Sequence, residues 1–339
     1  MRRLFVLIVA VVVAATAVPA TTVAQDGGDC SFPYDRVDAT GTNVTVSQEP
    51  AEVVTLNPSA AQTMWAIGAQ DKVVGMPVDY YTGYLNGKEG KVDVVTNRGQ
   101  PVPEKIVNAT PDLVLAPNVV QNDTVNNLRN SGLTVYRFRA ADSLADVYAK
   151  TELTGRLVGE FQSAAGVSAR MQGQVEAIRS AVADEPRPRV YYDLGFGFTA
   201  GPDTFIGEII RTAGGENVAA GDLSSPYGQM NPEKILVEDP EWILNTTGTP
   251  LSRNVGINYS TALEEDQFVT VDANFLNQPG PRNVEPLAAL ARALHPDAMA
   301  DVDLDSVTTP RPARCDAAMA TPTDAGGTDA AGSTDAPTA

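Results

Sequence analysis

Short apolar runs alternate with helical patterns through most of the chain. Residues 53–56 and 72–75 are apolar runs on either side of a helical stretch in the first half. In the second half, residues 189–193 and 217–220 flank another helical stretch, at 205–212. Strands that helices bury on both faces produce such continuous apolar runs. The pattern predicts two similar α/β lobes, each with a central, mostly parallel sheet.

A repeated segment supports this division into two lobes. The sequence PEKIVNATPDLVL begins at Pro103 and PEKILVEDPEWIL begins at Pro232, and six of the thirteen positions are identical. Proline in the first turn and glutamate beside it suit a helix N-terminus. The next proline of each segment must end that helix. The repeat predicts a short helix followed by an apolar strand in each lobe, at Leu113–Ala116 and Trp242–Asn245.

A helical region joins the two predicted lobes. Residues 143–184 carry an apolar stripe at steps of three and four residues, which is typical of an amphipathic helix. A coiled coil is a weaker alternative because the stripe is short and poor in leucine. The glycines at positions 155, 159 and 166 predict a break into two helices. We expect a single long helix to connect the lobes and a ligand cleft to lie between them.

The two ends of the chain have the composition of targeting and tethering segments. Arg2 and Arg3 precede an apolar run over residues 4–15, and small residues follow, as in a secretory signal peptide. That run is shorter than the roughly 20 residues that span a bilayer. Residues 321–339 are almost all Ala, Thr, Asp, Gly and Pro, which predicts a flexible tether. We expect an extracytoplasmic protein that is either secreted or tethered to the cell surface.

These signals predict six segments and one covalent link. The segments are a signal peptide at 1–24, an N-terminal segment at 25–46, an N-terminal lobe at 47–157, a linking helix at 158–186, a C-terminal lobe at 187–300 and a C-terminal segment with the tether at 301–339. Cys30 and Cys315 are the two cysteines of the chain. In an oxidising compartment, a disulfide between them is favoured over two unrelated thiols.

Charge narrows the range of partners. The chain has 42 acidic and 24 basic residues and a net charge of −18, while its hydrophobic fraction of 43% is sufficient for a core. So acidic a surface excludes general binding to nucleic acid, because phosphates require a basic face. It also argues against binding to anionic lipid. Abundant aspartate with few lysines is typical of a protein from a very salty medium, where salt screens the repulsion between carboxylates.

The residue sets needed for catalysis or for a resident metal are missing from the sequence. His295 is the one histidine, and we expect it to end an apolar helix. The sequence contains neither a Gly-x-Ser-x-Gly elbow nor a Gly-x-x-x-x-Gly-Lys phosphate loop. Residues 195–201 have the spacing GxGxxxG, which does not match a dinucleotide loop. We expect a tight strand-to-helix crossing there, and neither enzymatic activity nor a bound cofactor.

The candidate binding residues lie in loops that follow predicted strands. Ligands of open α/β sheets bind at the carboxyl ends of strands, and two such edges facing each other form a cleft. Aromatic rings and neutral amides there would suit a large, partly apolar ligand, although each of these residues is also compatible with ordinary loop packing. The candidates are Asn57, Pro58, Ser59, Tyr80, Tyr81, Tyr84, Phe196, Phe198, Tyr227, Asn274, Phe275, Asn277 and Gln278.

Longer motifs resemble the solute-binding proteins of ABC importers for vitamin B12, iron–siderophores and haem. In order, they are VVTLNPSAAQTMWAIGAQDKVVGMP, PEKIVNATPDLVLAP, TAGPDTFIGEIIRTAGGENVA, PEKILVEDPEWIL and PRNVEPLAALARALHP. The resemblance extends from about Glu49 to Pro296. It implies two Rossmann-like lobes on a helical backbone that move little on ligand capture. It also implies delivery of the ligand to a permease dimer with its ATPase subunits, by a binding protein that we expect to be monomeric.

The resemblance assigns roles to particular residues. The family places one glutamate on the outer tip of each lobe to meet arginines of the permease, and Glu104 and Glu233 match these positions; a plain helix N-terminal charge is the alternative. In the cleft, Arg98 and Tyr227 stand where B12-binding members have tryptophans. The neutral loop 274–278 replaces a charged one.

The ligand is left open between related chelates. The overall motifs favour cobalamin, whereas Arg98 would favour an anionic ligand such as a ferric siderophore, and haem is a further alternative. A single histidine excludes the zinc and manganese binders of related fold. Two other classes remain as alternatives: a sensor subunit that presents its ligand to a receptor, and an extracellular enzyme.

Overall fold

The computed structural model describes residues 30–221, 223, 225–246, 260–307 and 309. The predicted signal peptide, the tether at 321–339 and Cys315 lie outside the described residues. Within them, no helix is both long enough and apolar enough to cross a membrane.

The described chain starts with an antiparallel hairpin and continues into the first lobe. The hairpin consists of β1 (Tyr34–Val37) and β2 (Asn43–Val46). The strands of the lobe are β3 (Val53–Thr55), β4 (Val73–Met76), β5 (Val92–Asp93), β6 (Leu113–Ala116) and β7 (Val135–Arg137), and its helices are α1 (Pro58–Ala66), α2 (Pro103–Asn108) and α3 (Asn122–Asn130). The five strands are parallel, in the order β5-β4-β3-β6-β7. The strand order therefore reverses at β3, next to the start of α1.

Burial on both faces explains the apolar runs of this sheet. Val53 and Leu115 pack on one face against Met64 of α1. Val54 packs on the other face, against Ile106 of α2. All five side chains are fully buried. Because neither face meets solvent, the strands show no alternation of polar and apolar residues.

Two helices follow the first lobe. They are α4 (Leu144–Val158) and α5 (Phe161–Ala181). A capping box between Ser143 and Asp146 starts α4, and Gly159, with φ of +82°, ends it. The predicted break is therefore at Gly159, whereas Gly155 and Gly166 lie inside helices.

The helix pair contacts the cores of both lobes. Val158 and Ala164, on either side of the break, pack in the core of the first lobe. Leu144 at the start of α4 and Ile178 near the end of α5 pack in the core of the second lobe. At about 1.5 Å per residue, the 21 residues of α5 extend over about 31 Å. The long helix α5 leads the chain into the second lobe, and α4 lies beside it.

The second lobe repeats the plan of the first. Its strands are β8 (Arg189–Asp193), β9 (Phe198–Ala200), β10 (Glu216–Asn217), β11 (Tyr227–Gln229), β12 (Trp242–Asn245) and β13 (Phe268–Thr270), and its helices are α6 (Phe205–Thr212), α7 (Pro232–Glu238), α8 (Thr261–Glu264), α9 (Ala273–Leu276), α10 (Val284–Leu294) and α11 (Pro296–Met299). Its described parallel sheet has the order β10-β8-β12-β13. As the repeat predicted, α2 precedes β6 and α7 precedes β12, and each of these strands pairs with the first strand of its own lobe. The predicted two-lobed α/β architecture is confirmed.

One local prediction for the second lobe is wrong. Residues 195–201 do not form a direct crossing from strand to helix, because β9 pairs with β11 as an antiparallel ribbon before α6 begins. Gly195, Phe196 and Gly197 all have positive φ, of 91°, 53° and 78°, and turn the chain back on itself. A short antiparallel ribbon therefore precedes α6.

Gly155 and Gly166 provide a test of how tightly α4 and α5 pack. A Cβ at Gly155 would lie 2.3 Å from the Ala164 Cβ, whereas a Cβ at Gly166 would meet nothing within 4 Å. We expect Gly155→Ala to lower the free energy of unfolding by about 1–3 kcal/mol through overpacking. We expect Gly166→Ala to raise it by about 0.5–1 kcal/mol through helix propensity. Denaturant titration at fixed salt measures both; equal effects of the two substitutions would contradict the close approach.

Candidate ligand cleft

The first predicted cleft residues form the start of α1, at the carboxyl end of β3. The Asn57 side chain caps the helix by accepting a hydrogen bond from the Ala60 amide at 3.1 Å. Pro58 occupies the first helical turn, where its missing N–H costs nothing. Ser59 is buried and points away from solvent. These residues lie at the predicted carboxyl edge of the first sheet. Asn57 caps α1 and Ser59 is buried, so both have a structural role.

Ser59 belongs to a polar contact between the lobes. Its hydroxyl donates to the Pro279 carbonyl of the second lobe. It also accepts a hydrogen bond from the Lys150 ammonium of α4 at 2.8 Å. Burial lowers the pKa of Lys150 from 10.5 to about 8. Three parts of the chain therefore meet at one hydroxyl.

A second contact between the lobes centres on Gln62 of α1, which is buried. Its amide nitrogen donates to the Tyr84 hydroxyl at 2.9 Å and to the Asn274 carbonyl at 3.3 Å. Its amide oxygen accepts from the backbone N–H of Arg282 at 3.2 Å. The Tyr84 ring meets Phe275 edge-on with centroids 5.2 Å apart, and the Arg282 guanidinium lies 4.6 Å from the Phe275 centroid. Sequence reasoning missed Gln62 and Arg282; a glutamine among the apolar residues of α1 was the available signal.

The predicted loop 274–278 takes part in the same contact. Asn274 and Gln278 are only 6% and 8% exposed. The Gln278 amide donates to the Tyr81 carbonyl at 3.0 Å and to the Asn274 side-chain oxygen at 3.1 Å. Asn277 accepts a hydrogen bond from the Tyr192 hydroxyl. The loop thus ties the carboxyl edge of one lobe to the other, and its contact with a ligand stays a prediction.

Four predicted aromatic residues leave much of their rings in solvent. Tyr81 is 52% exposed, Phe196 90%, Phe198 46% and Tyr227 44%. Tyr81 follows a strand of the first lobe, and the other three lie on the ribbon or on the turn that leads into it. A large contiguous apolar patch on a protein surface marks an interaction site.

The backbone at Phe196 is held in an unfavourable conformation. Its φ of 53° is uncommon for a residue with a large side chain. The Gln229 side chain donates to the Phe196 carbonyl at 3.1 Å, and the Met230 amide donates to the Gly197 carbonyl at 2.9 Å. The ribbon therefore fixes a strained turn whose ring faces solvent, and backbone strain of this kind clusters at functional sites.

Tyr227 carries a hydroxyl that stays protonated. Burial of the hydroxyl end raises its pKa, a hydrogen bond with Thr204 lowers it and nearby Asp142 raises it, to a net value of about 12. A neutral phenol beside exposed rings can donate a hydrogen bond and present an apolar face.

Two further predicted residues lie in turns of the first lobe. Tyr80 begins a single 3₁₀ turn, Tyr80–Thr82, after β4. Arg98 is exposed in the turn that runs from Thr96 to Gln100, between β5 and α2. Among the described residues, the Arg98 guanidinium has no ion-pair partner. Arg98 lies at the carboxyl edge of the first lobe, and its contact with a ligand stays a prediction.

The predicted docking residues occupy equivalent positions in the two lobes. Glu104 and Glu233 are each the second residue of their helix, α2 and α7, and both are exposed. Each helix begins at the carboxyl edge of its sheet, because it precedes a parallel strand. The two carboxylates therefore lie on the edges that border the cleft, and their contact with a permease stays a prediction.

Other predicted or detected features lie away from the cleft. Cys315 lies outside the described residues, so its predicted pairing with Cys30 stays a prediction. His295 follows α10 as expected, and its ring is buried within 3.3 Å of the Gly214 carbonyl. The described residues contain no cluster of His, Cys, Asp and Glu that could hold a metal ion. Two cavities, of about 790 and 670 Å³, border α4 and do not contain the exposed rings.

Two parallel-sheet lobes, joined through a long helix with their carboxyl edges towards each other, define a two-lobed solute-binding protein. The chain belongs to the periplasmic binding protein family, whose sequence pattern matches residues 53–278. Members of this family are solute carriers, which confirms the expectation that the chain is not an enzyme.

Similar proteins include carriers for corrinoid and haem. A protein of Halobacterium salinarum named cobalamin-binding protein is 44% identical over 281 residues, which cover 78% of this chain and 75% of the relative. The vitamin B12 binding protein BtuF of Vibrio cholerae has a TM-score of 0.62 at 22% identity, covering 72% of this chain and 96% of that chain. The periplasmic haem-binding protein RhuT from Roseiflexus has a TM-score of 0.63 at 22% identity, covering 73% and 98%. The two structures support the fold.

The pKa of Lys150 predicts a pH dependence of stability. Between the folded value of about 8 and the unfolded value of 10.5, the unfolded chain binds more protons. The contribution of Lys150 to the free energy of unfolding therefore rises with pH across this window. In Lys150→Met this rise is expected to be absent. The free energy of unfolding of wild type, relative to that of the variant, should therefore grow from pH 8 to 10.5.

Thermal unfolding at fixed salt measures that difference. Lys150→Arg is a matched control, because arginine stays charged through the window and should lose the rise as well. A wild-type advantage over Lys150→Met that does not change with pH would contradict the assignment.

Proposed function

We propose that the protein captures cobalamin, or a corrinoid of similar size, outside the cytoplasm and delivers it to an ABC importer. The observation that carries this proposal is the group of exposed rings formed by Tyr81, Phe196, Phe198 and Tyr227 at the edges of the two lobes. The 44% identity to a cobalamin-binding protein supports the same ligand class.

The chemistry of these rings suits a large macrocycle. Phe196 and Phe198 offer apolar faces and edges to a planar ring system, and the exposed part of the Tyr227 ring adds a further aromatic surface. Polar amide groups on the periphery of a corrinoid would match neutral partners better than charged ones, because an unpaired buried charge is costly. The hydrogen-bonded turn at Phe196 fixes the backbone from which its ring projects, which reduces the backbone entropy lost on binding.

The metal of the cargo does not need a ligand from this chain. Haem carriers supply an axial His, Tyr, Met or Cys to the iron. Here the one histidine is buried against Gly214, and the raised pKa of Tyr227 disfavours the phenolate that would bind iron. A cargo whose metal arrives with complete coordination fits these residues better than haem. A ferric siderophore is the alternative, since the free guanidinium of Arg98 would favour an anionic chelate.

The importer side of the proposal rests on Glu104 and Glu233. Their equivalent positions in two similar lobes suit a partner with two equivalent subunits, such as a permease dimer with its ATPase subunits. The proposal also includes a signal peptide at 1–24 and a monomeric state. It places the protein outside the cytoplasm, either released or tethered by its C-terminal segment. The alternative of a sensor subunit differs only in the partner, because Glu104 and Glu233 would then contact a receptor and not a permease.

Ligand titration in high salt tests the cargo. Isothermal titration with cyanocobalamin, a ferric hydroxamate and haem is expected to give micromolar or tighter binding for cyanocobalamin alone, at about −8 kcal/mol or better. Phe196→Ala is expected to weaken that binding by about tenfold or more. Leu236→Ala, which changes an exposed apolar residue on α7, is the matched control. Selective binding of the hydroxamate or of haem would replace the corrinoid assignment.

Uptake measurements test the docking residues. Glu104→Ala combined with Glu233→Ala is expected to abolish corrinoid uptake by cells while leaving the titration of the purified protein unchanged. Glu89→Ala combined with Glu185→Ala changes two other exposed acids and serves as the control. Normal uptake by the Glu104 and Glu233 double variant would refute the docking role.

A further inference from the structure

A second cavity lies on the flank of the first lobe, outside the proposed cleft. It has a volume of about 670 Å³ and lies between the β1-β2 hairpin, the segment after β7 and one face of α4. This volume is within the range of about 300–1,000 Å³ that is typical of small-molecule sites. Its charged lining residues are Arg36, Arg139, Lys150, Arg156, Asp35, Asp146 and Glu152. Four of the chain's 24 basic residues thus border one cavity, in a protein with 42 acidic residues.

The three carboxylates that line the cavity already accept hydrogen bonds from other residues. Asp35 accepts hydrogen bonds from the side chains of its hairpin neighbours Thr45 and Asn43. Asp146 accepts from the amide and hydroxyl of Ser143 in the capping box of α4. Glu152 accepts from the hydroxyl of a serine on α5 at 2.8 Å. Each of these carboxylates is therefore held in place by neutral donors.

Two of the cationic side chains that line the cavity have no partner for an ion pair or a hydrogen bond among the described residues. Arg36 on β1 and Arg139 after β7 are both exposed, and neither has an ion pair or a hydrogen bond to its side chain among the described residues. Both line the same cavity as Tyr136. Two guanidinium groups without an ion pair among the described residues therefore border one cavity.

The rest of the lining is largely apolar. Tyr34, Tyr136 and Phe138 are the aromatic lining residues, and Leu153 adds an aliphatic side chain. Lys150 also lines the cavity, and its ammonium lies 5.9 Å from the centroid of the Phe138 ring. Through its bond to Ser59, the same lysine belongs to the contact between the lobes. The cavity thus combines an aromatic wall with a cationic rim and adjoins the lobe interface.

We propose that this cavity binds a small organic anion, with a ring or another apolar body and one carboxylate or phosphate group. The anionic group would meet Arg36 and Arg139, whose planar guanidinium groups can bind it in a bidentate manner. The apolar body would cover the wall formed by Tyr136 and Phe138. In molar salt the Debye length is only about 3 Å, so binding depends on these direct contacts and on apolar burial rather than on long-range attraction.

Matched naphthalene probes test the proposal. Titration of the full chain with 2-naphthoate, 2-naphthyl phosphate and neutral 2-naphthol separates the anionic group from the apolar body. At least one of the two anions is expected to bind about tenfold or more tightly than 2-naphthol. Arg36→Gln with Arg139→Gln is expected to remove this preference. Arg187→Gln with Arg292→Gln, two exposed arginines of the second lobe, should leave it unchanged.

Three results would overturn the inference. The first is an equal affinity for 2-naphthol and the two anions, and the second is an anion preference that survives in the Arg36 and Arg139 double variant. The third is loss of anion binding in Phe196→Ala, which would place the probe in the cleft. Cyanocobalamin titration of the double variant reports on the cleft independently, so failure of this site is distinguishable from failure of the proposed transport function.

Discussion

The contact between α1 and the segment from Asn274 to Arg282 fixes how the two lobes face each other. It is made by a buried amide and a buried hydroxyl, and a buried polar group is costly unless it is hydrogen-bonded. Gln62 meets this condition through one donor group and one acceptor group, and Ser59 meets it through Pro279 and Lys150. The separation of the sheet edges, and with it the arrangement of the exposed rings, depends on these bonds.

The same contact suits a protein with so acidic a surface. Molar salt screens ion pairs that are open to solvent, but it has little effect on neutral amides or on aromatic packing. The lobes meet mainly through such neutral groups. Where the structure does rely on a strong pair, between Arg129 and Asp38, the carboxylate is fully buried and at 2.6 Å from the guanidinium. The charge of −18 is therefore a property of the surface, and the internal connections do not depend on it.

Much of the architecture could be predicted because its causes are local. A strand such as β6 is apolar throughout, since both faces of its sheet are covered, and the repeated PEKI segments mark equivalent helices. The cross-lobe partners of Gln62 could not be predicted, because they lie more than 200 residues away. Nor does a sequence distinguish Gly159, which ends a helix, from Gly155, which lets two helices touch. The ribbon at Phe196 was missed because a positive φ at phenylalanine has no sequence signal.

The close packing of α4 on α5 has a mechanical consequence. A pair of helices locked at Gly155 and Ala164 has far greater bending stiffness than one helix, because flexing it would force the two surfaces to slide. The pair of helices would therefore resist a large hinge closure between the two lobes. A partner that must distinguish the loaded from the empty protein would then recognise the cargo's own surface at the cleft mouth, rather than a change in the shape of the carrier.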